Sequence, residues 1–173
     1  MSFDEFPQSV DTLARTIWGE ARGCGASGMG HVANVIINRI DSPRWWGDDV
    51  ISVCRAPRQF SCWNADDPNY DKLLAATTAN TEFAVAVALS LRAVGRKLPD
   101  ETGGADSYYA TSMRQPPAWA KRAEKTFSDG WHTFLRVELP APGGGPDAAP
   151  VSVHAPPDED VADLLDDEYN PGS

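Results

Sequence analysis

Apolar side chains at Val10, Leu13, Ala14, Ile17 and Trp18 recur three and four residues apart, which places them on one face of a helix. The helix expected there runs from Val10 to Ala21, with Ser9 as its N-cap and Gly19 and Gly23 loosening its end. A second helix is expected from Ser27 to Ile40 or Asp41, where Ser42-Pro43 stops it. Its apolar positions Met29, Val32, Ala33, Ile36, Ile37 and Ile40 span a broad arc, as a central helix requires. Val50 to Cys54 is a short apolar piece, either a helical turn or a strand. From Tyr70 to Val94 the period is helical again, through Leu73, Leu74, Phe83, Val87 and Leu91; Thr77-Thr78 and Asn80-Thr81 divide it, and Gly95 ends it. The period then changes. Ala105 to Ala110 reads as a strand, Trp119 should anchor a short helix reaching Lys125, and Gly130 to Val137 alternates as a closing strand. The chain is therefore expected to be α+β and mostly helical.

Composition adds boundaries. With 173 residues and 42% hydrophobic content, the chain suits one domain with a real core. We place the lead-in at residues 1–9, the catalytic domain at 10–139, and a Pro/Gly-rich acidic tail at 140–173. The net charge of −10 is concentrated in that tail, which holds Asp147, Asp158, Glu159, Asp160, Asp163, Asp166, Asp167 and Glu168 and no Lys or Arg. Such a segment is expected to be disordered, with a short recognition helix near Asp160–Tyr169, and to dock a protein partner or act as a solubilising appendage. The body is near neutral and offers no basic patch for nucleic acid. No segment is apolar enough to span a membrane, and the N-terminus lacks the pattern of a signal peptide. Synthesis in a cytoplasm, with another route to any outside target, is the expectation; the protein is expected to be a monomer. Cys24, Cys54 and Cys62 are an odd set, better read as thiols than as a disulfide framework.

Candidate chemistry gathers around Glu20, which ends the first helix beside Trp18 and Arg22, ahead of a glycine-rich turn. Taken alone it is an ordinary helix-end carboxylate paired with Arg22. Partial burial against the indole would raise its pKa and make it a general acid. The segment Gln59-Phe-Ser-Cys-Trp-Asn64 is dense in binding groups; alternation would set Gln59, Ser61 and Trp63 on one side and Phe60, Cys62 and Asn64 on the other. Of the adjacent Trp45 and Trp46, one should enter the core and one line a groove, where an indole face suits a sugar ring. Tyr108 and Tyr109 sit on the strand expected to enter the same cleft. His31 reads as a satisfied core imidazole, with Asn38 turned inward and Arg39 near the terminal carbonyls of its helix. His31, His132 and His154 have no metal-ligand spacing, so neither a metal site nor a cofactor is expected. A thiol mechanism pairing Cys62 with His132 stays open as a minority reading. Glycosidic cleavage by Glu20 fits more of the residues, with Gln59, Phe60, Ser61, Trp63, Tyr108, Tyr109 and Trp45 holding sugars.

The motifs Thr16-Ile-Trp-Gly-Glu-Ala-Arg-Gly23, Gly28-Met29, Val32-Ala-Asn-Val-Ile-Ile-Asn-Arg39 and Gln59-Phe-Ser-Cys-Trp-Asn64 together resemble the spore cortex-lytic and cell wall hydrolase family (SleB/CwlJ type). The order continues through Thr102-Gly-Gly-Ala-Asp-Ser-Tyr-Tyr109, Pro117-Ala-Trp119 and Gly130-Trp-His-Thr-Phe134, so the resemblance covers roughly residues 10 to 137. It implies a lysozyme-like, lytic transglycosylase-like domain with a small β element beside the cleft. The implied substrate is the glycan strand of peptidoglycan, and the implied catalytic glutamate is Glu20. Ser107 and Tyr109 stand where family members usually carry histidines. One carboxylate favours a lytic transglycosylase; a muramidase would need a second, for which Asp66, Asp67 and Asp106 are the candidates. A Cys-His wall peptidase or amidase, or a non-enzymatic phage structural protein, are the alternatives. A compact catalytic body without signal or wall-binding module fits a bacteriophage lysis or virion-associated enzyme acting at the cell wall.

Overall fold

The computed structural model describes residues 5–137. The expected acidic tail and its recognition helix lie outside the described residues. Five α-helices are followed by a three-stranded antiparallel sheet of order β1-β3-β2: α1 is Glu5–Ala21, α2 Gly25–Asp41, α3 Val50–Arg55, α4 Tyr70–Ala75, α5 Thr81–Val94, β1 Ser107–Ala110, β2 Ala123–Ser128 and β3 His132–Val137. No described helix is long and apolar enough to cross a membrane.

The apolar stripe of α1 is buried as its period requires, through Val10, Leu13, Ala14, Ile17 and Trp18. The helix begins earlier than expected, at Glu5, because Pro7 lies in the first turn, where its missing N–H removes no intrahelical bond. Ser9 is consequently a buried helical residue and not the N-cap. Gly19 does not loosen the helix either. It permits a close approach: a Cβ there would stand 2.7 Å from the Cβ of Cys62 and 3.1 Å from Cδ1 of Leu73. The Ala21–Gly25 turn is a short 3₁₀ segment over Arg22–Cys24.

α2 is the central helix, buried at Met29, Val32, Ala33, Val35 and Ile36 and packed against α1, α3 and α5. The short Val50 piece resolves as helix because Asp49 builds a capping box with Ser52, its Oδ1 accepting from the N–H of Ile51 (2.8 Å) and Ser52 (3.0 Å). The long helical stretch divides at residues 76–80 as expected. Asn80 caps α5, accepting from the Phe83 N–H at 2.7 Å, and its Oδ1 also takes the Trp18 indole N–H at 3.3 Å. One amide thus ties the start of α5 to the end of α1.

Three differences concern shorter pieces. Residues 61–63 form a 3₁₀ turn and not an alternating strand, since the N–H groups of Trp63 and Asn64 find local carbonyls at Phe60 and Ser61 (3.2 and 2.8 Å). Trp119 sits in a 3₁₀ segment that ends at Arg122, and Lys125 belongs to β2. The strand expected to close the chain is the middle one: β3 pairs Tyr108↔Phe134 on one side and Phe127↔Phe134 on the other.

Polar side chains of α2 fasten the sheet to the helices. Asn34 donates to the Pro99 carbonyl (3.0 Å) and accepts from the Glu101 N–H (3.2 Å); Asn38 donates to the Ala105 carbonyl (2.9 Å); Arg39, fully buried, donates to the Asp106 carbonyl (2.7 Å). Asn38 is turned inward as expected, whereas Arg39 serves the sheet and not its own helix end. Farther along, Asp129 brackets the β2–β3 turn. Its Oδ1 accepts from the N–H of Trp131 (2.9 Å) and His132 (2.7 Å), while Oδ2 lies 3.0 Å from His31 Nδ1 and 3.7 Å from His132 Nδ1. Burial raises the Asp129 pKa, but the hydrogen bonds from His31 and from those two N–H groups outweigh it and hold the carboxyl below its usual range. Burial lowers the pKa of His132, against the pull of Asp129.

Two stability measurements follow. Gly19→Ala should cost about 1–3 kcal/mol through overpacking against Cys62 and Leu73. Gly30→Ala, whose nearest neighbour would be Leu89 Cδ2 at 3.9 Å, should gain up to about 1 kcal/mol from helix propensity; urea unfolding checks both. His132 gives a pH dependence. Its folded pKa lies below the unfolded value of about 6.5, so its contribution is complete above that pH. It is lost as pH falls toward the folded pKa, with a slope of at most about 1.4 kcal/mol per unit. His132→Phe should flatten the unfolding free energy over that window.

Candidate active site

Glu20 is the last-but-one residue of α1 and is only 3% exposed. Its position follows from the helix period, which carries the buried face past Ile17 and Trp18 to Glu20 and Ala21. A hydroxyl and a thiol reach its carboxyl. Tyr108 Oη donates to Oε2 at 2.9 Å, and the Cys62 thiol is hydrogen-bonded to the same carboxyl. The Arg22 guanidinium lies over the Trp18 ring at 4.5 Å and reaches the Asn69 side chain at 3.4 Å.

Tyr108 is held from behind. Its ring is edge-on to His132 (5.1 Å between centroids) and tilted against Phe134 (5.7 Å). His132 is fully buried, and neither ring nitrogen has a hydrogen-bond partner among the described residues. Its nearest charge is Asp129, which also meets His31. A continuous series of packed groups therefore runs from Glu20 through Tyr108, His132 and the half-buried Asp129 to His31 on α2. His31 is the core imidazole expected; the signal for the remainder was the motif Asp129-Gly-Trp-His132, whose role no local pattern discloses.

The other residues proposed from sequence fall in different settings. Gln59 and Phe60 are at 0% and 2% exposure, within the core, with the Arg39 guanidinium 5.4 Å from the Phe60 ring centroid. Ser61 and Trp63 are half-buried; Trp63 donates its indole N–H to Thr16 at 3.0 Å and has Arg55 over its ring at 4.1 Å. Tyr109 lies on the sheet face opposite Tyr108, half-buried and edge-on to Trp119 at 6.3 Å. The tryptophan pair splits as expected, with Trp46 in the core and Trp45 48% exposed against it. A surface cavity of about 550 Å³ lies elsewhere, between Gln8 and Asp11 of α1 and Ile51 and Arg55 of α3. It borders none of these side chains, and we assign it no part in the chemistry.

The thiol alternative does not assemble. Cys24, Cys54 and Cys62 are free; burial pushes Cys54 up to about 12, and burial followed by the nearby Glu20 charge pushes Cys62 up strongly. Both are held as neutral thiols, and His132 offers Cys62 no hydrogen bond. The candidates for a second carboxylate are occupied or exposed. Asp106 accepts from Ser107 Oγ (2.9 Å) and the Val137 N–H (3.0 Å), with Arg44 at 3.6 Å; Asp67 caps the Asn69 N–H at 2.8 Å; Asp66 is exposed. Among the described residues no three His, Cys, Asp or Glu side chains gather in a way that could hold a metal ion.

A family model described as Cell Wall Hydrolase matches residues 23–135, a span that starts just past Glu20. No curated protein matches the chain. Among solved structures, the catalytic domain of the germination-specific lytic transglycosylase SleB from Bacillus anthracis is similar, with a TM-score of 0.57 and 26% identity over 74% of this chain and 93% of that one. The mostly helical, lytic transglycosylase-like fold expected from the motifs is the fold observed. With the family model spanning most of the chain and the fold in agreement, the protein belongs to the cell wall hydrolase family and is a peptidoglycan-cleaving enzyme.

Proposed function

We propose that the protein is a lytic transglycosylase that cuts between N-acetylmuramic acid and N-acetylglucosamine, with Glu20 as its one acid and base. The observation that carries this reading is a carboxyl 3% exposed, bonded to Tyr108 and Cys62, with the neighbouring aspartates committed to structural partners. The similarity to the SleB lytic transglycosylase domain supports it.

In the first half of the reaction, protonated Glu20 gives its proton to the bridging oxygen. The C1–O bond breaks, and positive charge builds at C1 of the muramyl ring. In the second half, the carboxylate takes the proton of that sugar's 6-hydroxyl as the hydroxyl oxygen bonds to C1. The product is a 1,6-anhydro ring, Glu20 is again protonated, and no water is consumed. Hydrolysis would instead need a second carboxylate about 5–10 Å away to act as nucleophile or base.

Glu20→Gln should lower glycan cleavage by about 10²–10⁴-fold on purified peptidoglycan. Cys62→Ser, which keeps a donor beside Glu20, should retain measurable turnover; its complete loss with activity preserved in Glu20→Gln would reverse the assignment. Mass spectrometry of the released muropeptides should show anhydro ends. Reducing ends would make the protein a muramidase, and no release from the wild type would sink both readings.

A further inference from the structure

We propose that Tyr108 is a positioning residue for Glu20 and does not bind sugar. This rests on Glu20 being the acid, and it concerns how its carboxyl is oriented. Tyr108 is 1% exposed, so its ring offers no face to a glycan. Its hydroxyl is directed at Glu20 Oε2 at 2.9 Å, across 88 residues of chain. A neutral carboxyl carries one proton on one oxygen. By donating to Oε2, Tyr108 fixes how the carboxyl is turned, and so where that proton is presented. After transfer, the phenol keeps its proton and its bond to Oε2 strengthens, because a hydrogen bond to a charged acceptor is shorter and stronger than one to a neutral acceptor. Tyr108 neither gives nor takes a proton at any stage.

The ring cannot swing away. β1 holds its backbone in register with Phe134, and His132 and Phe134 pack on its ring. Asp129 fixes the turn that leads into His132 and links it to His31 on α2. The ionisable groups around Glu20 and Tyr108 include Cys62 from the 3₁₀ turn, Cys54 from α3, Arg39 from α2, His132 from β3 and Arg22 from the turn after α1. Cys62 and Cys54 stay neutral, and Arg39 stays cationic despite a pKa lowered by burial.

The test compares Tyr108→Phe with the wild type on purified glycan strands over a range of pH. Removing the hydroxyl should lower kcat by about tenfold or more with KM unchanged. It should also move the alkaline limb of the kcat profile to higher pH by about one unit, since the charged carboxylate loses a donor. Replacement of Tyr108 by 3-fluorotyrosine keeps the shape and strengthens the donor, so the limb should move the other way. Circular dichroism establishes that each variant is folded, and the fluorinated form decides the matter if the Phe variant is not. A rise in KM at constant kcat would overturn the proposal in favour of sugar binding. Unmoved limbs in the folded variants would overturn it as well. Glu20→Gln serves as the separate control: if it is inactive, such results remove only the role of Tyr108, and if it is active the parent reading falls.

Discussion

A carboxyl group taken into a protein interior must be met by donors there, since a buried polar group without partners costs about 1–3 kcal/mol or more. The fold answers that demand at Glu20. Cys62 reaches it from the turn before α4, and Tyr108 from a strand 88 residues along the chain from the glutamate. Gly19 is part of the same arrangement, because only a residue without a Cβ lets Cys62 come so near the end of α1. The packing of a glycine and the satisfaction of a carboxyl are one problem with one solution.

Placing Tyr108 requires more than a strand. A three-stranded sheet has no fixed position over a helical body unless something measures the distance. Here α2 does so, with Asn34, Asn38 and Arg39 bonding to backbone atoms of residues 99, 101, 105 and 106 just ahead of β1. The far end of the sheet is held by His31 through Asp129. A helix whose apolar arc serves the core thus uses its remaining positions to set the angle of the sheet. The buried guanidinium of Arg39 is costly in isolation. Contacts with the Trp46 and Phe60 rings at 5.2 and 5.4 Å and a charge-assisted bond to Asp106 offset that cost.

Local pattern disclosed those parts that local physics decides. The stripe of α1, the broad arc of α2, the break before Asn80, the split of Trp45 from Trp46 and the inward turn of Asn38 all follow from side-chain period and polarity over a few residues. Alternation misled at residues 59–64, where backbone groups find partners within the turn and no ladder forms. The glycine at position 19 reads as looseness in a sequence and is closeness in the structure. The partner of Glu20, the order of the strands and the bracket at Asp129 depend on contacts between distant segments, which periodicity does not encode. Neither does burial of a particular ring: Tyr108 and Tyr109 are identical in type and adjacent, and only the handing of the strand decides which one meets the carboxyl.

The separation of Glu20 from Tyr108 along the chain also orders events during synthesis. The helix bearing Glu20 leaves the ribosome first, while the strands that orient and hold its partner come at the end of the domain. A nascent or prematurely released chain carries the glutamate without its Tyr108 donor. The surroundings of this carboxyl are therefore complete only once translation has passed β3, a timing written into the topology.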